Sequence, residues 1–134
     1  MEFNLKTGLR GEITEQVREN NTARRFGSGS IDVYATPAMI GLMEKAALSA
    51  VDPLLPEGFA TVGIDLAVQH LAATPLGMTV KAKAELTELD GRRLVFRVEA
   101  ADEVEKIGEG QHQRFIIQVD KFLEKSARKG AKRE

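Results

Sequence analysis

Apolar residues recur at two different intervals along this chain, and the interval changes near Gly58. Ahead of that point, Ala38, Met39, Ile40, Leu42, Met43, Ala46, Ala47, Leu48, Ala50 and Val51 leave Glu44, Lys45 and Ser49 as the polar positions. A segment apolar nearly all round predicts a buried helix, over residues 37–51. Thr36-Pro37 marks its start, with threonine as the cap and proline in the first turn, and Asp52-Pro53 marks its end. Beyond Gly58 the interval becomes two: Val62, Ile64, Leu66, Val68 and His70 alternate with Thr61, Gly63, Asp65, Ala67 and Gln69. Met78, Val80, Ala82, Ala84 and Leu86 alternate in the same way with Thr79, Lys81, Lys83, Glu85 and Thr87. Asp90-Gly91 signals a two-residue hairpin, after which Leu94, Phe96, Val98 and Ala100 oppose Arg93, Arg97 and Glu99. A turn over residues 103–106 precedes a last strand, 107–122, and one short strand, 11–18, precedes the helix.

The predicted order is strand, buried helix, then four sequential antiparallel strands, with the sheet covered on one face. One central helix wrapped by an antiparallel meander is the hot-dog arrangement, an α+β fold. A length of 134 residues suits one domain, 1–124, followed by residues 125–134. That end carries Lys125, Arg128, Lys129, Lys132 and Arg133 against Glu134 and is predicted to be a frayed, basic tail. Residues 20–30 are polar and end in Gly27-Ser28-Gly29-Ser30, which predicts a mobile loop or lid. With Asp32 where a third glycine would stand, it is no dinucleotide-binding fingerprint.

Charge and composition remove several functions. Nineteen basic against twenty acidic residues leave a net charge of −1, too even to steer the chain toward nucleic acid or an anionic membrane. The chain has no cysteine and two histidines, so disulfides, thiolate metal sites and a cysteine nucleophile are excluded, and no metal or organic cofactor is expected. No basic start leads into an apolar run, and no uncharged stretch is long enough to span a bilayer, so a cytoplasmic protein is expected.

Glu44 is the most informative residue, because it shares a helical face with Ile40, Gly41, Ala47, Leu48 and Val51. A carboxylate there is either functional or held in a structural pair with an arginine. His70 closes the apolar series of its strand, so its ring is directed at the same helix–sheet interface. Two titratable groups at one interface can tune each other's proton affinity. Thr36 serves as helix cap, and a hydroxyl beside free amides also suits a developing oxyanion. Gly63 lies mid-strand, where glycine marks a close approach by a ligand or backbone. Arg114, on the strand face of His112, either binds an anion or is solvated.

Thr36, Glu44 and His70 in this spacing resemble the threonine–glutamate–histidine set of the fluoroacetyl-CoA thioesterase-like group of hot-dog proteins. Tyr34-Ala35-Thr36-Pro37-Ala38-Met39 and Met43-Glu44-Lys45-Ala46-Ala47 are similar to the group's central helix, and Gln69-His70-Leu71 and Pro75-Leu76-Gly77-Met78 to its next strand and turn. The resemblance runs from about Gly8 to Phe122. It implies hydrolysis of an acyl-CoA or an acyl-carrier-protein thioester, with Glu44 as nucleophile or as base for water. His70 then moves the proton, Thr36 bonds within the triad, and Gly63 and Arg114 lie at the site. Coenzyme A is the leaving group. The group's fluoroacetyl-specific lid carries aromatic side chains, whereas Phe26 is the only ring near Gly27-Ser28-Gly29-Ser30, so the resemblance extends to thioester hydrolysis and not to fluoroacetyl selectivity. Other readings are a non-catalytic acyl-CoA or small-ligand binding module, an acyl-CoA hydratase or dehydratase, and a structural or regulatory role with no ligand. At about 1.5 Å of rise per residue, Glu44 lies about 12 Å along the helix from Thr36. One substrate reaching both therefore predicts a homodimer or higher oligomer with its sites at the interface.

Overall fold

The computed structural model describes residues 3–133. Five strands, β1 (Arg10–Gln16), β2 (Phe59–His70), β3 (Thr79–Asp90), β4 (Arg93–Ala101) and β5 (Lys106–Gln118), form one antiparallel sheet. The sheet curls around α2 (Thr36–Val51), which is the hot-dog fold. A single turn, α1 (Ala23–Phe26), precedes that helix, and α3 (Val119–Ala131) ends the chain.

The strand order is β1-β3-β4-β5-β2. Only β3, β4 and β5 form a meander; β2 crosses over and joins the far side of β5, correcting the expected run of four sequential neighbours. In the β3–β4 hairpin, Asp90 pairs with Arg93, so the two loop residues are Gly91 and Arg92, and Gly91 takes a positive φ of 61°. Alternation in β3 holds as read: Val80, Ala82, Ala84 and Leu86 are buried, while Thr79, Lys81 and Lys83 are exposed.

β2 departs from its expected phase. Its pairing with β5 shifts between Gly63 and Asp65, a bulge that leaves Ile64 as the extra residue. Before it, Thr61 and Gly63 oppose the inward-facing Ile116 and Arg114; after it, Leu66, Val68 and His70 oppose His112, Gly110 and Gly108. Val62 therefore faces outward with Phe115, contrary to simple alternation.

Helix α2 buries Ala38, Leu42, Ala46 and Ala50 in one row and Met39, Met43, Ala47 and Val51 in the next. Pro37, Gly41 and Lys45 are exposed, and Ile40, Glu44 and Leu48 are half-buried, so the sheet covers one side of the helix and not its whole circumference. Its closest approach is to β1, where a Cβ on Gly11 would collide with the Ala46 carbonyl oxygen.

Two loosely structured segments were expected; the first carries main-chain hydrogen bonds and the second contains a helix. Asn21 accepts from Arg18 N and donates to the Gln16 carbonyl, and Ala23 N donates to the Val33 carbonyl. Those bonds pin the first half of residues 20–30, leaving residues 27–31 exposed. Strand β5 ends at Gln118 and not at residue 122, and residues 119–131 are helical where 125–134 were expected to fray. Among the described residues, no helix is long and apolar enough to cross a membrane.

Gly11→Ala should overpack the α2–β1 contact, because the atom in the way is backbone. The expected loss is about 1–3 kcal/mol, read as a lower thermal midpoint; an unchanged midpoint would contradict this close approach.

Candidate active site

Thr36 occupies the first helical turn, and Ala35 is the residue outside the helix, with φ −74° and ψ 139° and no side-chain cap. Proline is tolerated next to it because first-turn amides have no helical partner. Main-chain bonds from Tyr34 N to the Thr74 carbonyl (2.8 Å) and from Ala35 N to the Asn21 carbonyl (2.9 Å) fix this entry. Thr36 is thus not the cap that its sequence context suggests. Its hydroxyl instead meets His70 Nδ1 at 2.7 Å.

His70 reaches the helix start because the β2 bulge turns it inward. Its other ring nitrogen, Nε2, is buried and has no hydrogen-bond partner among the described residues. Burial lowers the proton affinity of the ring; the Ala72 backbone offsets this in part, without meeting hydrogen-bond geometry.

Eight residues further along α2, Glu44 lies beside Gly63, His112 and Arg114. A Cβ on Gly63 would sit 2.9 Å from Glu44 Oε2 and 3.2 Å from His112 Cε1, so the absent side chain makes the space that the carboxylate occupies. Glu44 keeps 37% of its side chain exposed and stands 3.9 Å from Arg114 Nη1, at the outer limit of an ion pair. Of the two expectations for Arg114, solvation is ruled out, since its side chain is 6% exposed. Nε donates to Thr61 Oγ1 (2.8 Å), Nη2 to the Thr61 carbonyl (2.9 Å) and Nη1 to His112 Nε2 (3.1 Å). Thr61 in turn donates its hydroxyl to Asp52 Oδ1 at 2.6 Å. Burial first, and Arg114 after it, push the proton affinity of His112 down against the Asp65 carbonyl and the Glu44 and Asp65 charges.

The five residues singled out from sequence fall into two clusters. Thr36 joins His70, and Glu44 joins Gly63 and Arg114, while helical rise separates the two clusters by about 12 Å. Asp52, Thr61 and His112 were missed as members of the second cluster. Gly63 held the available signal, because a glycine inside a strand pattern marks a bulge, and a bulge reverses which neighbours face inward. A groove of about 410 Å³ runs past Phe26, Pro37 and Gly41, and neither Glu44 nor His70 lines it.

Residues 17–120 match the family described as fluoroacetyl-CoA-specific thioesterase, FlK. A fluoroacetyl-CoA thioesterase of Streptantibioticus cattleyicolor is 46% identical over 98 residues, spanning 73% of this chain and 70% of that protein. The crystal structure of a variant of FlK in complex with fluoroacetate and CoA superposes with a TM-score of 0.83 at 39% identity, covering 88% of this chain and 99% of that one. A thioesterase-superfamily protein of Thermus thermophilus aligns at 0.87 and 30% identity, covering 94% and 93%. Fold and relatives together define a hot-dog thioesterase, a thioester hydrolase. Within that class, the chain belongs to the fluoroacetyl-CoA-specific thioesterase family.

Both histidines are held below their ordinary value of 6.5. The unfolded chain therefore binds more protons than the native one below that pH, and stability should fall as pH drops through about 6.5, levelling off below the native values. Urea midpoints at about pH 7.5 and pH 5 should differ in that direction; equal midpoints would contradict the burial of these rings.

Proposed function

We propose that the protein is an acyl-CoA thioesterase for small or medium acyl groups, not selective for fluoroacetyl, working through Thr36, Glu44 and His70 with Gly63 and Arg114 lining the site. The observation that carries this reading is the His70 ring, with Nδ1 bonded to Thr36 and Nε2 buried without a partner. An unpaired buried polar atom costs about 1–3 kcal/mol, which a hydrogen bond to substrate would relieve.

With the Thr36 hydroxyl donating to Nδ1, the ring proton resides on Nε2. His70 can then donate that N–H as a hydrogen bond to the sulfur, which leaves as a thiolate and takes up the proton released by the attacking water. Glu44 acts in one of two ways. As base, it takes a proton from the water that attacks the carbonyl carbon; as nucleophile, it forms a mixed anhydride that water then opens. Both routes end in a free acid and the thiol of coenzyme A. A backbone amide at the start of α2 or at Gly63 receives the carbonyl oxygen. The CoA held by the related FlK variant supports a CoA thioester as substrate. Exposed residues 27–31 supply no aromatic ring, which favours a broader acyl range than fluoroacetyl.

The separation of the two clusters supports a homodimer or higher oligomer. β2 lies at the edge of the sheet, bonded to β5 alone, with Ile64 50% and Leu66 39% exposed. Such an edge is a template for another strand. Antiparallel pairing of two β2 strands centred near Leu66 would bring His70 of one copy beside the Gly63 region of the other, uniting the clusters. A cytoplasmic location, with no nucleic-acid or membrane partner, completes the proposal.

Thiol release from acetyl-, fluoroacetyl-, butyryl-, hexanoyl- and benzoyl-CoA tests the reading. Glu44→Ala should lower turnover about 100-fold or more, while the folded protein still binds coenzyme A. Full activity in that variant would refute the role of Glu44. Sedimentation at micromolar concentration should show a dimer or larger species, and a monomer would refute the shared site.

A further inference from the structure

We infer that His112 is a positioning residue for thioester hydrolysis: it holds the Arg114 guanidinium in the orientation that faces Glu44, and so determines where the carboxylate sits. The inference rests on the proposed role of Glu44.

The tautomer of His112 is forced by its partners. Nδ1 lies 2.9 Å from the Asp65 carbonyl, which only accepts, so Nδ1 carries the proton. Nε2 lies 3.1 Å from Arg114 Nη1, which only donates, so Nε2 is bare. A protonated ring would have no acceptor for Arg114. The ring is fully buried and stacked on Phe96, with centroids 6.3 Å apart.

Arg114 is therefore gripped from two sides. Thr61 takes Nε and Nη2, anchored in turn by Asp52, and His112 takes Nη1. Nη1 is also the nitrogen 3.9 Å from Glu44 Oε2. His112 thus controls the one guanidinium nitrogen nearest the carboxylate. The charged groups around the ring are Arg114 on its own strand, Glu44 from α2 and Asp65 from β2, and burial with the Arg114 charge keeps it neutral. A residue that merely fills the core would not need both nitrogens matched to this chain of bonds.

Steady-state kinetics of His112→Phe and His112→Gln, beside wild type and Glu44→Ala, test the inference. Phenylalanine keeps the ring and removes both nitrogens; glutamine keeps an acceptor for Arg114. The expected result is a kcat roughly 10- to 100-fold lower in His112→Phe at unchanged KM, the size associated with a small misplacement of reacting groups. His112→Gln should recover most of that loss. Wild-type kcat in His112→Phe, a loss in KM alone, or a glutamine variant as impaired as the phenylalanine one would overturn it. Should His112→Phe not fold, nitrogen NMR of the wild-type ring decides, with protonated Nδ1 expected and protonated Nε2 overturning the inference. An active Glu44→Ala refutes the Glu44 reading, whereas an active His112→Phe beside an inactive Glu44→Ala refutes this inference alone.

Discussion

The bulge at Ile64 is the constraint on which both polar clusters depend. One extra residue in β2 exchanges the faces of the strand part-way along, so that Thr61 and Gly63 look inward on one side of it and Leu66, Val68 and His70 on the other. Without it, the inward positions of one half or the other would be lost. Were the phase of the second half extended backward, Ile64 would stand opposite Arg114 in place of Gly63, filling the space of the Glu44 carboxylate, and Val62 would take the place of Thr61 opposite Ile116, removing its hydroxyl from the guanidinium. Were the phase of the first half extended forward, His70 would turn away from Thr36.

That dependence explains how much of the molecule was legible from its sequence. The helix was plain, since a run of Ala, Leu and Met bounded by Pro37 and Pro53 has no other stable use. Strands β3 and β4 were plain for the opposite reason: each alternates cleanly between one buried and one solvated face. β2 looked equally clean and was not, because an apolar residue at the bulge, Ile64, preserves the appearance of a period that the backbone has broken. Strand neighbours were harder still. Which edge accepts β2 depends on the crossover through residues 71–78, whose composition says turn but not direction.

The two polar clusters were legible in their members and not in their grouping. Thr36, Glu44 and His70 stand out by residue type against apolar surroundings, and Gly63 by its place in a strand. The pairing of Thr36 with His70 was hidden by a competing local rule, since threonine before a proline reads as a helix cap. Main chain does the anchoring at this entry, through the Asn21 carbonyl and the Ala35 amide, and main-chain bonds of that kind leave no mark in residue type. Asp52 and Thr61 gave no signal of their own, because each is an ordinary polar residue until the bulge and the end of α2 bring them beneath Arg114.

One rod, α2, carries a member of each cluster, and this makes their separation a matter of integers. Inserting one residue between Thr36 and Glu44 would advance the carboxylate by about 1.5 Å and swing it by about 100°, away from Gly63 altogether. No partial adjustment is open to a helix packed on two rows of alanine and methionine. Residues 27–31, exposed and outside the rod, are under no such arithmetic. Changes of sequence can therefore accumulate there in small steps, while the spacing of its polar groups can change only by breaking.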